Sequence, residues 1–430
     1  MNILLSAYAC LPNKGSENGL GWNWATNLAK NGNNVWVLTR ESNKSSIESE
    51  VGKLAFADRL HFIYFDLPKY MQWNFWSRFW KTNLGLHVYW HIWHYPYHFF
   101  WQYGAYRHIK KTYFKHSFDV AHHITFSTIR RYTFLGGLGI PFIFGPVGGG
   151  ERAPFKLRSC FRTRAWLYDF IRDIGIYITK FNPLMWKLYK QSSIIYVKTP
   201  SSLSLVPRRY HNKTKVKLEL GCYPQSSDFS LMRDVKSRSS IKFLYAGRSL
   251  YWKGMYYGIS AFSKLLESHP SASLTIVGRG PEEDEWRKLS RMLNLEGNVI
   301  WVPWVEQSEL SKIYLEHDIF LFPSLHDSSG NVVLEALMHG LPVICLDLGG
   351  PAVMVDEACG RIVNTYKKRP DQVITGLCHY MSELAANSST IAELSKGAIE
   401  KSKEYEWDRV ILDIYKEFAP KDRETHSLDR

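Results

Sequence analysis

Two carboxylates, Asp327 and Glu335, flank a small-residue turn in the stretch FLFPSLHDSSGNVVLEALMHGLPVICLDLGGP, residues 320–351. It reads as strand, loop, helix, strand. The apolar run 319–322 leads into a loop of Pro, Ser, Asp, Gly and Asn. Leu334, Leu337 and Met338 then recur at helical spacing, and Gly340 followed by Pro342 ends the helix. The first backbone N–H groups of a helix lack internal partners and, with the helix dipole, favour an anion such as phosphate. Gly330 and the small side chains of Ser328 and Ser329 would let a ligand approach those amides. Carboxylates accept hydrogen bonds from sugar hydroxyls, often in pairs. Asp327 and Glu335 face one ligand only if the loop folds back onto its own helix. The competing reading makes Glu335 an ordinary first-turn acid and Asp327 a loop acid.

Further candidates stand at the ends of other apolar runs. Residues 2–9 read as a first strand, followed by a loop with Gly15, Ser16 and Glu17 and then a helix from Trp22. FDVAHHITF places His122 and His123 at a strand end, where open α/β sheets face their ligand crevice. IPFIFGPVGGGERAP runs a buried strand into Gly148, Gly149, Gly150 and Glu151. Three glycines in a row take backbone angles other residues avoid, or admit a close ligand. Beyond Lys242–Ala246, the loop GRSLYWKG carries Arg248 and Lys253, and the strand 274–277 closes on Gly278. GxGxxG is not present in order after the first strand, which argues against a dehydrogenase.

The elements that position these residues alternate strand and helix in both halves, the pattern of α/β folds with parallel sheets. The 430 residues suffice for two sizeable domains. The expected division is 1–225, a polar linker at 226–240, a second domain at 241–405, and a C-terminal helix and tail at 406–430 packing back toward the first domain. Residues 1–225 hold 30 Lys and Arg against 11 Asp and Glu, whereas 226–430 hold 24 against 29. So uneven a split suggests that the basic half faces something anionic. No run of 18 uncharged apolar residues exists and no basic region precedes the first strand, so neither a transmembrane helix nor a signal peptide is expected. The six scattered cysteines form no metal-ligand spacing and are expected to be reduced, as in a cytoplasmic protein.

Residues 70–115 hold 18 aromatics, six Lys or Arg, five His and no acid. Trp and Tyr beside cations suit a membrane interface, with rings at headgroup depth and cations on anionic lipid. A packed helical segment inside the domain is the plainer alternative. Single-stranded nucleic acid, bound by stacking and phosphate contact, is the rival from another class. A second basic cluster, Arg152, Lys156, Arg158, Arg162 and Arg164, follows the glycine loop.

Taken in order, GWNWATNLAKNG, HHITF, IPFIFGPVGGGERAP, YAGRSLYWKG, TIVGRGP, HDSSGNVVLEALMHGLPVI and YEWDRVILDIY resemble the family 4 glycosyltransferases. That resemblance implies the GT-B fold, two Rossmann-like domains facing across a cleft. It implies a nucleotide-diphosphate-sugar donor held mainly by the second domain and an acceptor held mainly by the first. Arg248 and Lys253 match the family's basic pair on the donor diphosphate. Glu335 matches the acid that holds the ribose hydroxyls, and Asp327 stands where the family has Glu, one methylene longer. Ser329 to Val332 match the loop that meets sugar and diphosphate. His122 or His123 matches the histidine that touches the transferred sugar. Gly15, Ser16 and Glu17 match the first-domain glycine loop, and Gly349 and Gly350 would line the same cleft.

The resulting expectation is a retaining glycosyltransferase with no cofactor, the nucleotide sugar serving as co-substrate. No metal is expected, since no Asp-x-Asp motif is present. The catalytic set is His122, His123, Arg248, Lys253 and Asp327. Gly15, Ser16, Gly278, Ser328, Ser329, Gly330, Asn331, Val332 and Glu335 join Arg248 and Lys253 on the donor, and Glu17, Gly148, Gly149, Gly150 and Glu151 meet the acceptor. The acceptor would be a lipid-diphosphate-linked or glycan molecule of bacterial surface-polysaccharide assembly, reached from an anionic membrane surface on the cytoplasmic side. A sugar-nucleotide epimerase of the same fold is the alternative within the enzyme class. No nucleic-acid partner is expected.

Overall fold

Short runs such as NILLS (β1, Asn2–Ser6) and IFLF (β11, Ile319–Phe322) are buried almost throughout. Only a parallel sheet covered by helices on both faces takes such continuous apolar strands. The computed structural model describes residues 1–68, 71, 85–113, 116–126, 128–223 and 240–418. The expected linker lies, except for Ser240, outside these residues, as do part of the aromatic stretch and the tail after 418.

The chain builds two Rossmann-like α/β domains. The first sheet takes β2 (Asn34–Thr39), β3 (Leu60–Tyr64), β4 (Val120–His123), β5 (Phe142–Val147), β6 (Ile194–Val197) and β7 (Thr214–Val216) beside β1. Its order is β3-β2-β1-β4-β5-β6-β7. The second sheet takes β8 (Lys242–Ala246), β9 (Ser273–Val277), β10 (Val299–Val302), β12 (Val343–Leu346) and β13 (Gly360–Val363) beside β11, in the order β10-β9-β8-β11-β12-β13. Every strand pair is parallel. In each sheet the order reverses once, between β1 and β4 and between β8 and β11. Ligands of open α/β sheets bind at such a reversal, beyond the carboxyl ends of the strands.

Alternation along β1, β4 and β5 sends Leu4, Ala121 and Phe144 into one core and Ile3, Leu5, Val120 and Ile143 into another, one on each face of the first sheet. The second domain's core also takes Ala153, Leu157, Phe161, Leu218, Leu220 and Cys222 from the first half of the chain. The helix Trp407–Tyr415 buries Trp407, Val410, Ile411, Ile414 and Tyr415, spaced as one helical face. That face packs on the first domain: Trp24 and Trp407 meet edge to face at 5.6 Å, and the Tyr196 hydroxyl donates to the Ile414 carbonyl at 3.3 Å.

No helix among the described residues is long and apolar enough to cross a membrane. The aromatic stretch, where its side chains are described, is partly core and partly surface. Tyr97, Trp101, Ala105 and Ile109 are buried, and Trp101 donates its indole N–H to the Phe65 carbonyl at 2.9 Å. The packed-segment alternative describes these residues, and Phe100 and Tyr103 remain exposed on the outer side.

Ile414→Ala removes a fully buried side chain from the helix that returns to the first domain. It is expected to lower unfolding stability by about 2–5 kcal/mol, measured as a lower midpoint in urea.

Candidate functional site

In the second domain the ends of β8 and β11 sit side by side, and each hands its chain to a helix through a tight loop. After β8, the loop runs through Arg248 to Lys253 and into the helix Met255–Leu265. After β11, the loop runs through Asp327, Ser328 and Ser329 to Gly330 and the helix Asn331–Met338. Adjacent strands therefore bring Lys253 and Asp327 into an ion pair, and the ammonium also lies 4.9 Å above the Phe322 ring. Both side chains are only partly exposed. Arg248 is exposed at the end of β8, and its carbonyl accepts from the buried Tyr245 hydroxyl at 3.1 Å.

The Asp327 loop is held from behind. The Gly350 N–H donates to the Asp327 carbonyl at 2.8 Å. A Cβ at Gly349, whose φ is +68°, would stand 2.0 Å from that carbonyl oxygen. Gly349 and Gly350 thus clamp the loop backbone. Gly278 does the same for the Arg248 loop: its φ is +125°, and a Cβ there would stand 2.2 Å from the Gly247 carbonyl oxygen. The Ser249 N–H completes that clamp with the Arg279 carbonyl at 3.0 Å.

Glu335 projects from the Asn331–Met338 helix just beyond its first turn. It accepts from the Tyr314 hydroxyl at 3.2 Å. Burial raises its pKa above the ordinary glutamate value, although hydrogen bonds from Tyr314 and Gln307 pull the other way. Tyr314 is fully buried and belongs to the preceding helix, Gln307–Glu316. Asp327 and Glu335 therefore occupy the two ends of one loop-helix corner. Lys253 and the Asn331 and Val332 amides lie at the same corner.

In the first domain Gly15 precedes the helix Ser16–Lys30, in extended conformation with open space around it. Glu17 turns inward, contrary to the expectation that it meets the acceptor. Its carboxylate accepts the Phe126 N–H, holding that residue at φ +51°, a conformation non-glycine residues rarely keep without support. Burial raises the Glu17 pKa, and the nearby Lys198 charge opposes that rise.

The two histidines part company because side chains alternate along a strand. His122 faces the Trp24 and Tyr415 layer; its Nδ1 meets the Tyr415 hydroxyl at 2.7 Å and its Nε2 meets the Gly145 carbonyl at 2.5 Å. Burial lowers its pKa to about 4, so the ring is neutral. This corrects the expectation that His122 touches a sugar: both nitrogens are committed inside the core. His123 takes the opposite face, beside Ser6 at 3.2 Å and stacked on Phe144. It is equally buried, at the end of β4, and lies beneath the crevice floor rather than open to it.

Glu151 is a second correction. Its carboxylate accepts from the Gly149 N–H at 2.8 Å, the Thr199 hydroxyl at 2.6 Å and the Ser202 hydroxyl at 2.8 Å. Three donors and nearly complete burial leave it no role toward an acceptor; it fixes the Gly148–Gly150 loop instead. That loop does reach the second domain, since a Cβ at Gly148 would stand 2.9 Å from the Ser328 Cβ.

Two groups that join the domains are absent from the sequence reading. Lys198, directly after β6, donates to Glu219 at 2.5 Å and to the Ser329 hydroxyl at 3.2 Å, and Ser329 donates to Glu219 at 2.7 Å. Burial disfavours the Lys198 charge, but Glu219 and Glu17 outweigh it and hold the pKa above the ordinary lysine value. Asp169, fully buried, faces His326 Nε2 and Arg158 Nε at 3.2 Å and Arg172 at 3.3 Å. Burial opposes the Asp169 charge as well, yet these partners keep its carboxyl below the usual range. A cation immediately after a buried strand was the available signal for Lys198; nothing local marks Asp169.

Residues 232–378 match the family model described as "Glycosyl transferases group 1". The chain is 31% identical over 176 residues to an uncharacterized glycosyltransferase of Methanocaldococcus jannaschii, covering 40% of this chain and 44% of the relative. It is 32% identical over 107 residues to glycogen synthase of Mycobacterium tuberculosis, covering 25% and 26%. It thus spans less than half the length of these relatives. Among solved structures it resembles Anabaena HepE in complex with UDP, with TM-score 0.57, 13% identity and coverage of 97% and 98%. It also resembles WaaG, a glycosyltransferase involved in lipopolysaccharide biosynthesis, with TM-score 0.55, 16% identity and coverage of 96% and 98%. These likenesses extend over both domains and identify the fold as GT-B.

A raised carboxyl pKa makes Glu335 a cost to the folded state once it ionises. Below the ordinary glutamate range it is protonated whether the chain is folded or not, and contributes nothing. As pH rises through and above its folded pKa, the penalty is fully present. Glu335→Gln keeps an acceptor for Tyr314 and is expected to raise the melting temperature at neutral pH, with the gain vanishing in acid. Melting curves across pH test this; a gain that persists in acid would contradict it.

Proposed function

We propose that this chain, whose residues 232–378 match the glycosyl transferases group 1 family model, is a retaining glycosyltransferase that moves a sugar from a nucleotide diphosphate to a membrane-linked or glycan acceptor. The observation that carries the reading is the corner where Lys253, Asp327, the Asn331 and Val332 amides and Glu335 converge at the β8/β11 reversal. The amides and the two cations Arg248 and Lys253 suit a diphosphate. Glu335, one helical turn on, suits the ribose hydroxyls. The sugar would then lie toward Asp327, Ser328 and Gly148, where the glycine loop meets the second domain.

In this reading the glycosidic C–O bond to the diphosphate breaks and a bond from C1 to the acceptor oxygen forms on the same face. The acceptor's hydroxyl proton passes to the departing diphosphate. Charge grows on that diphosphate as its bond to C1 breaks, and Arg248, Lys253 and the helix amides stabilise it without reorganising. Asp327 keeps the Lys253 ammonium in place. Because protein cations supply this charge, the reaction is expected to proceed without a divalent metal. HepE is recorded with UDP and WaaG with lipopolysaccharide biosynthesis. By analogy the donor is a nucleoside diphosphate sugar and the acceptor belongs to surface-polysaccharide assembly at the cytoplasmic face of the membrane.

Melting of the purified chain against a panel of nucleoside diphosphates and nucleotide sugars tests the donor site, because a ligand that binds only the folded state raises the melting temperature. A shift with one nucleotide family, lost in Glu335→Ala, is the expected result; an unchanged shift in Glu335→Ala would remove Glu335 from the site. Arg248→Ala and Lys253→Ala are expected to lower turnover by about 10²–10³-fold while still folding. Turnover in EDTA is expected to match that in buffer, and its loss would show a metal requirement.

A further inference from the structure

The helix Thr163–Thr179 is inside out. Its inward face carries Asp169, Arg172 and Asp173, tied to Arg158, His326 and the Glu151 carbonyl. Its outward face carries Leu167, Phe170, Ile171, Ile174, Tyr177 and Ile178, each 42% to 60% exposed. These six follow one another at intervals of three, one, three, three and one, a continuous helical stripe. Phe181 and Leu184 prolong the exposed apolar strip beyond the helix, and Phe155 is exposed before it. Contiguous apolar surface of this kind is rare on a protein that meets only water, and marks a contact site.

The charges around the stripe specify its partner. Among residues 151–190 the three acids are Glu151, Asp169 and Asp173. Glu151 and Asp169 are buried, and Asp173 pairs inward with Arg158. The exposed charged side chains of the same stretch are Arg152, Lys156, Arg162, Arg164, Lys187 and Lys190, all cations. Arg162 pairs with Glu285 at 3.5 Å, and the other five cations border an apolar face as at the boundary between acyl chains and anionic headgroups, where an amphipathic helix lies in the plane of the membrane.

We propose that the Thr163–Thr179 helix, with Phe181 and Leu184, is the face by which this protein lies on an anionic lipid bilayer. A cavity of about 340 Å³ lined by Gly150, Arg152, Pro154, Phe155, Arg158 and Asp173 opens between the inward side of this helix and the glycine loop. The same helix is welded through Asp169 to His326, one residue before Asp327. Docking would therefore hold the crevice at a fixed height and tilt over the headgroups. A membrane interface is one expectation for residues 70–115; Tyr97, Trp101 and Ile109 of that stretch are buried, and the face proposed here lies on this helix instead.

The proposal needs no step of the proposed reaction, and its test contains no donor. The full chain is floated with phosphatidylcholine vesicles, with and without phosphatidylglycerol. The wild type is expected to float with the phosphatidylglycerol vesicles and much less with phosphatidylcholine alone. The double variant I171E/I178E, altered only at exposed positions, is expected to bind about tenfold or more weakly while keeping the wild-type melting temperature. Should that variant fail to fold, R164E/K187E leaves the stripe intact and is expected to lose only the preference for phosphatidylglycerol. Wild-type protein that stays unbound with anionic vesicles overturns the proposal, as does undiminished flotation of the folded double variant. A wild-type dimer split by I171E/I178E would assign the stripe to a second copy instead.

Discussion

A parallel sheet whose strand order reverses leaves a crevice at the reversal, and this chain contains two. Each reversal separates the loops beyond two neighbouring strands, so residues distant in sequence meet without any designed long-range contact. Lys253 and Asp327 meet because β8 and β11 are neighbours, and Glu17 reaches Phe126 because β1 and β4 are. The corner that suits a nucleotide diphosphate is a product of topology first and of side-chain choice second.

Topology alone does not bring the reversals together. That falls to buried ionic groups. Taking charges out of water is unfavourable unless each is paired and hydrogen-bonded. Lys198, Glu219 and Ser329 satisfy one another across the domains, and Asp169 gathers His326, Arg158, Arg172 and Tyr251 around itself. Such groups contribute modestly to net stability, because desolvation offsets much of their attraction. Their geometry is strict, however, and a rotated interface would part them from Ser329, His326 and Tyr251. The ion pairs thus register the two crevices against each other, while apolar contacts such as Phe161 on Tyr251 at 4.8 Å supply the adhesion.

Much of this was legible in the chain itself. Continuous apolar runs located the strands, because burial on both faces removes polar residues from them. Gly330, Asp327 and Glu335 were legible because a helix start and its preceding loop are local features. The separation of His122 from His123 follows from strand periodicity, yet which of the two meets Trp24 and Tyr415 depends on residues remote in sequence. Glu151 gave no sign of its inward role, since its partners Thr199 and Ser202 lie some 50 residues on. The Thr163–Thr179 stripe had a clear period, but a period does not say which side of a helix meets water. Apolar residues ordinarily turn inward; here the polar face is needed by the interface network.

The return of the chain to the first domain has a mechanical meaning. The polypeptide passes between the domains twice, once after β7 and once before Trp407. The two passages are bonded side by side: the Cys222 N–H donates to the Tyr405 carbonyl at 2.8 Å and the Trp407 N–H to the Cys222 carbonyl at 3.0 Å. A single connecting strand would let the domains swivel freely, as on a string. Two strands bonded side by side resist twist better than one, so the joint itself helps to keep Ser328 against Gly148.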